Sequence, residues 1–210
     1  MVSPGVFIPL FEKNALVQKL DRYVWKEAAS QVKLWKDKFG YCVPVSVNVS
    51  RIDIFESDIE SFLVNLIKES GLSTENIHLE ITESAYTDDS SQLIKTVETL
   101  RADGFKIEMD DFGTGYSSLN MLTKLPIDIL KLDMAFIRHM TENPGDRKMV
   151  KLVVDIADFL AVPTIAEGVE SEDQLTILKD YGCKIIQGYY FSKPVPADEF
   201  EKFIKNDNCR

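Results

Sequence analysis

The stretch from Lys106 to Leu119, KIEMDDFGTGYSSL, decides how the rest of the chain is read. Apolar and polar residues alternate from Lys106 to Asp110, the period of a β-strand. The strand ends on two adjacent aspartates, Asp110 and Asp111. A turn with Gly113 and Gly115 follows, where glycine tolerates positive φ. Residues 116–125, YSSLNMLTKL, then predict a short helix. Strand, turn and helix make one βα unit.

The same unit recurs on both sides. Towards the N-terminus, Leu16, Leu20, Tyr23, Val24, Ala28 and Trp35 place a helix over Asn14–Gly40, ahead of the strand VPVSVNVS (43–50). Ser57 and Glu60 have capping-box spacing for a helix that stops before Gly71. IHLEITES (77–84) is the next strand, followed by a helix carrying Leu93, Ile94, Val97 and Leu100 up to Gly104. Towards the C-terminus come the strand ILKLD (129–133), a helix over Asp146–Leu160 and the strand PTIAEGVE (163–170). Ser171 and Gln174 cap a helix that ends at Gly182, then KIIQGYYF (184–191) and a last helix over 196–205 close the chain. Repeated βα units predict a parallel sheet with helices outside it.

Each strand carries one polar residue towards its C-terminal end that apolar packing would not select: Asn48, Glu80, Asp110, Lys131, Glu167 and Gln187. An open doubly wound sheet brings only the strands at its switch point to a common ligand. A barrel brings all strand ends to one face. The expectation is therefore an α/β chain of TIM-type (β/α)8 barrel architecture, N-terminally incomplete, with about six βα units recognisable and residues 1–210 as a single domain.

Composition narrows the partners. A formal net charge of −10 argues against a DNA or RNA duplex, which needs a basic face. No apolar run reaches membrane-spanning length, and MVSPGVFIPL lacks the basic start of a signal peptide. The three cysteines, Cys42, Cys183 and Cys209, suit reduced thiols, so a cytoplasmic location is expected for this domain, with a membrane-tethered parent still open.

Asn48, Glu80 and Asp110 offer hard oxygen ligands, which suit Mg²⁺, Mn²⁺ or Ca²⁺ rather than zinc. Two adjacent buried carboxylates repel unless a cation offsets them. Adjacent aspartates can serve two ions about 3.5–4 Å apart, an arrangement used in phosphoester hydrolysis. DFG alone suggests a protein kinase, but the accompanying kinase segments are missing. Gly113 and Gly115 lack the third glycine of a dinucleotide fingerprint. A salt bridge to Asp110 or Asp133 is the plainer reading of Lys131. His78 reads as packed or hydrogen-bonded, His139 as exposed, and Trp25 and Trp35 as packed against the barrel.

FIPLFEKN, VSVNVS, LEITES, DDFGTGYSSL, ILKLD, IAEGVE and GCKIIQGYYFSKP, in this order, resemble the EAL domains, phosphodiesterases that open cyclic di-GMP to linear 5'-pGpG. The resemblance implies a two-metal site for Mg²⁺ or Mn²⁺. Asn48, Glu80 and Asp110 would bind the first ion and Asp111 the second. Lys131 would orient the attacking water, with Glu167 as general base or metal-proximal group and Gln187 supporting the cluster. Glu83 would steady the DFGTGYSS loop, which the resemblance implicates in a homodimer. Sensory or GGDEF-type domains are the expected partners in a parent protein.

The Glu-Ala-Leu motif itself does not occur in this sequence, which resembles the segment just after it. The expectation is a fragment of a longer chain, two strands short, with a metal-binding glutamate and a phosphate-contacting arginine on the absent segment. A non-hydrolysing cyclic di-GMP-binding or interaction module is the alternative this leaves.

Overall fold

The computed structural model describes residues 4–14, 16–86, 90–113 and 126–205. Six strands, β1 (Val45–Asn48), β2 (Ile77–Thr82), β3 (Lys106–Phe112), β4 (Ile129–Leu132), β5 (Thr164–Ala166) and β6 (Ile185–Ile186), form one sheet. Every neighbouring pair is parallel, and spatial order equals sequence order from β1 to β6. Sequential order without reversal removes the switch point of a doubly wound sheet and leaves a curled half-barrel with helices outside it.

The helices are α1 (Pro4–Lys13), α2 (Val17–Phe39), α3 (Arg51–Ile54), α4 (Ile59–Ser70), α5 (Ser90–Ala102), α6 (Met134–His139), α7 (Pro144–Phe159), α8 (Glu172–Tyr181) and α9 (Ala197–Lys205). Strand alternation sorts the two faces of the sheet. Val47, Leu79, Ile81, Ile107, Met109, Leu130, Leu132 and Ala166 are buried in the core beneath the helices. The other parity (Asn48, His78, Glu80, Glu108, Asp110 and Lys131) faces the concave side, so the polar residues of the apolar strands share one surface.

Several boundaries differ from the sequence expectation. The helix predicted from Asn14 begins at Val17, and a separate helix precedes it. Its end is as expected: Gly40 is left-handed, with φ 78°, and donates back to the Lys36 carbonyl. Ser57 is not a helix cap, because α4 starts at Ile59 with Asp58 in the capping position and no side-chain capping bond. The Ser171–Gln174 capping box does form. Strand β6 has only two residues; Gly188 turns the chain, and Tyr189, Tyr190 and Phe191 lie exposed. The predicted helix 116–125 lies outside the described residues.

Trp25 packs on Phe62 and its indole donates to the Asn48 carbonyl at 2.8 Å, while Trp35 packs on Phe200. His78 is hydrogen-bonded to the buried Glu108 at 2.7 Å, and His139 is exposed at the end of α6.

Candidate active site

Lys131 organises the concave face. Its Nζ lies 2.7 Å from Glu80 Oε1, 2.7 Å from Glu167 Oε1 and 3.3 Å from Asp110 Oδ1, and its side chain is 4% exposed. Four of the residues singled out in the sequence therefore meet at one ammonium. Burial works against the charged form of Lys131, but Glu80, Glu167 and Asp110 outweigh it and hold its pKa above the ordinary lysine value. Burial raises Glu80, with Asp110 and Glu108 adding to the effect and Lys131 opposing it.

The two adjacent aspartates reach one site through a bulge. Met109 pairs with Leu130 and Phe112 with Leu132, so β3 spends one residue more than β4 between these pairs. Asp111 takes φ 56°, rare for a residue with a side chain, and donates its N–H to Asp110 Oδ1 at 3.0 Å. Strict alternation would send Asp111 to the opposite face from Asp110. The bulge instead brings it beside Asp110, Asp133 and Glu167. Burial first, then these carboxylates, push Asp111 up to about 6.

Asp133 is the residue that sequence reasoning assigned no role beyond a possible salt bridge. Its side chain caps α6 by accepting the Ala135 N–H at 2.7 Å and hydrogen-bonds Asp111. The ILKLD run contained the signal, since Asp133 follows Lys131 by two positions and so shares its face.

The other predicted residues fall around this centre. Asn48 ends β1 in register with Glu80, its side chain exposed. Glu167 and Gln187 stand one residue beyond β5 and β6 rather than within them. Each is followed by a glycine that admits no side chain. A Cβ on Gly168 (φ 71°) would stand 2.6 Å from that of Met134, and one on Gly188 would stand 2.2 Å from the Val169 carbonyl oxygen. Together Glu167 and Gln187 line a cleft of about 290 Å³ with Met134, Arg138 and Tyr189. A larger cavity, about 530 Å³, lies between α2 and α9 and holds none of these residues. Glu83 is fully buried apart from the cluster and accepts the Gly113 N–H at 2.8 Å, at the start of the glycine loop.

Among the described residues, no three acidic, histidine or cysteine side chains stand arranged as a ready metal site. The ammonium of Lys131 joins the carboxylates instead, and this salt-bridge geometry is the plainer reading of that lysine. The charge inventory nevertheless fits divalent cations. Glu80, Asp110 and Glu167 surround the ammonium and Asp111 and Asp133 stand beside them, five carboxylates to one ammonium, an excess that hard cations bound by oxygen offset.

The family model described as the EAL domain matches residues 1–194. The chain belongs to the EAL domain family. This EAL domain is 33% identical over 201 residues to the signaling protein YkoW of Bacillus subtilis, covering 96% of the chain and 25% of YkoW. It is 34% identical over 205 residues to the cyclic di-GMP phosphodiesterase PdeR of Escherichia coli, covering 98% of the chain and 31% of PdeR. The solved cyclic di-GMP complex of the PaMucR phosphodiesterase superposes with a TM-score of 0.91 at 34% identity, covering 95% of this chain and 81% of that one. The chain thus spans about a quarter to a third of the length of the curated relatives it matches.

Proposed function

We propose that this EAL domain hydrolyses cyclic di-GMP to linear 5'-pGpG. The observation that carries the reading is the Lys131 ammonium held among Glu80, Asp110 and Glu167 at the strand ends, with Asp111 and Asp133 alongside. The names of PdeR and of the PaMucR complex support the substrate.

Asn48, Glu80 and Asp110 would hold one divalent cation and Asp111, with Asp133 beside it, a second. When bound, Mg²⁺ or Mn²⁺ supplies Lewis-acid stabilisation of charge on the phosphate oxygens. Glu167 is placed to accept a proton from water, and Lys131 to orient that water and offset charge on the phosphate. The water oxygen bonds to phosphorus, the ester bond to the 3' oxygen breaks, that oxygen takes a proton from solvent to become a hydroxyl, and the ring opens. Gln187 lines the cleft next to Glu167, where its amide orients the reacting groups. The ring of Tyr189 and the guanidinium of Arg138, on the same cleft, suit a purine base.

We further propose that the domain works as a homodimer through the glycine loop that Glu83 supports, in the cytoplasm, as one part of a longer protein. MucR, named as both diguanylate cyclase and phosphodiesterase, supports a multidomain setting. No helix among the described residues is long and apolar enough to cross a membrane.

The test is chromatography of cyclic di-GMP incubated with the chain and Mn²⁺ or Mg²⁺. Linear dinucleotide that disappears with Asp110→Asn supports the reading. Folded protein that binds the cyclic dinucleotide and releases no product overturns it.

A further inference from the structure

We propose that Asp21 and Asp53 share a single proton and, joined through it, hold the turn that follows Asn48, so that loss of the proton loosens this corner of the site. The two carboxyls come from different elements, α2 and α3, and are 9% and 1% exposed. Asp21 Oδ2 and Asp53 Oδ1 each lack a hydrogen-bond partner among the described residues, yet the two side chains lie within hydrogen-bond reach of each other. Two ionised carboxylates do not settle so close in a buried setting, where they repel and both forfeit hydration. One proton removes one of the charges and gives the pair the donor it lacks.

Ser50 ties the pair to the backbone. Its hydroxyl donates to Asp53 Oδ2 and accepts the Asp53 N–H at 3.3 Å, and Asp21 lies beside the same serine. One helical turn along α2, Trp25 donates to the Asn48 carbonyl at 2.8 Å. Helix α2 therefore grips the exit of β1 at Asn48 and again at Ser50, two residues on. Neither aspartate touches the cluster around Lys131, so both are positioning residues. Their bearing on metal binding rests on the proposed role of Asn48; the shared proton does not.

The cations nearest the pair are Arg22, on α2, and Arg51, two residues before Asp53 on α3. Arg22 forks onto Asp58 at 2.5 and 3.1 Å, with Asp53 and Glu56 in coulombic range. Among the described residues no lysine, arginine or histidine forms an ion pair with Asp21 or Asp53. Burial first, then Asp53, pushes Asp21 up to about 7, so the proton leaves in the neutral range.

The test is hydrogen exchange at the Ser50 amide, expressed as a protection factor from pH 5 to 8.5, on the whole chain. Wild-type protection is expected to drop about tenfold between pH 6 and 8.5, as local opening becomes easier. Asp21→Asn, which keeps a donor to Asp53 at every pH, is expected to stay flat, and Asp21→Ala to be low throughout. Flat wild-type protection, or Asp21→Asn falling like the wild type, overturns the proposal. Calorimetric titration with Mn²⁺ alone is expected to show about fivefold weaker binding in Asp21→Ala than in Asp21→Asn, about 1 kcal/mol. Equal affinities overturn the link to Asn48. Neither readout depends on hydrolysis, so both discriminate equally well in a chain that turns over no substrate.

Discussion

Replacing Lys131 by Met keeps the aliphatic stem of the side chain and removes its charge from among Glu80, Asp110 and Glu167. At an effective dielectric of about 20, a unit pair at 2.7 Å attracts by about 6 kcal/mol and one at 3.3 Å by about 5. Desolvation of the buried ions and repulsion among the carboxylates offset most of that attraction. Removing one partner from a buried ion pair leaves a net cost of about 3–5 kcal/mol. Urea unfolding in EDTA should show this loss at pH 7.5. Burial already raises Glu80 against the pull of Lys131, so without the ammonium its folded pKa stands further above the unfolded one. The folded variant therefore takes up protons as pH falls, and the deficit should shrink by pH 5. Wild-type Lys131, whose pKa is raised, contributes fully through this range and loses its contribution only at strongly alkaline pH. Mn²⁺ should restore more stability to the variant than it adds to the wild type. A loss under about 1 kcal/mol, or the same loss at both pH values, would refute the reasoning.

Three further outcomes are expected. Asp111 is raised to about 6, so without metal it binds a proton that the unfolded chain has released; its contribution to stability is present at low pH and lost as pH rises from about 4 through 6. Asp111→Asn should flatten that part of the melting-temperature profile in EDTA. Glu83→Ala should cost about 1–3 kcal/mol by stranding the Gly113 N–H, and Glu83→Gln, which retains an acceptor, distinctly less; chemical denaturation compares the two. Gly168→Ala forces a side chain onto a left-handed backbone and against Met134, so hydrolysis should fall at least about tenfold while circular dichroism stays native.

Much of the site was legible because strands of this fold want apolar residues on the face under the helices. Glu80, Asp110 and Lys131 interrupt apolar runs at the parity that faces the concave side, and a parallel sheet in sequential order carries that parity to one place. Asn48 was legible for the same reason, at the end of its strand. Asp111 was legible as a neighbour of Asp110, but its direction depends on a bulge, and nothing in DDF distinguishes a bulged pair from an alternating one. Asp133 was hidden by being an ordinary helix cap as well. Glu167 and Gln187 were placed on strands because AEGVE and IIQGYYF are apolar enough, whereas the glycines after them end the ladder early. Asp21 offered no signal. An aspartate between Leu20 and Arg22 looks like the solvated side of an amphipathic helix, and only the packing of α2 over the exit of β1 buries it.

The placement of Lys131 has a bearing on how the protein matures. Many small metalloproteins cannot fold until their ion arrives, because their ligands repel one another without it. Here the chain carries its own provisional counter-ion, covalently attached and available from the moment β4 joins the sheet. Synthesis and folding would then proceed without a bound cation, and under the proposed metal-dependent function loading would be a later, reversible step. Under that same proposed function, a constant number of copies would vary in competence with metal availability alone, with no new translation and no proteolysis.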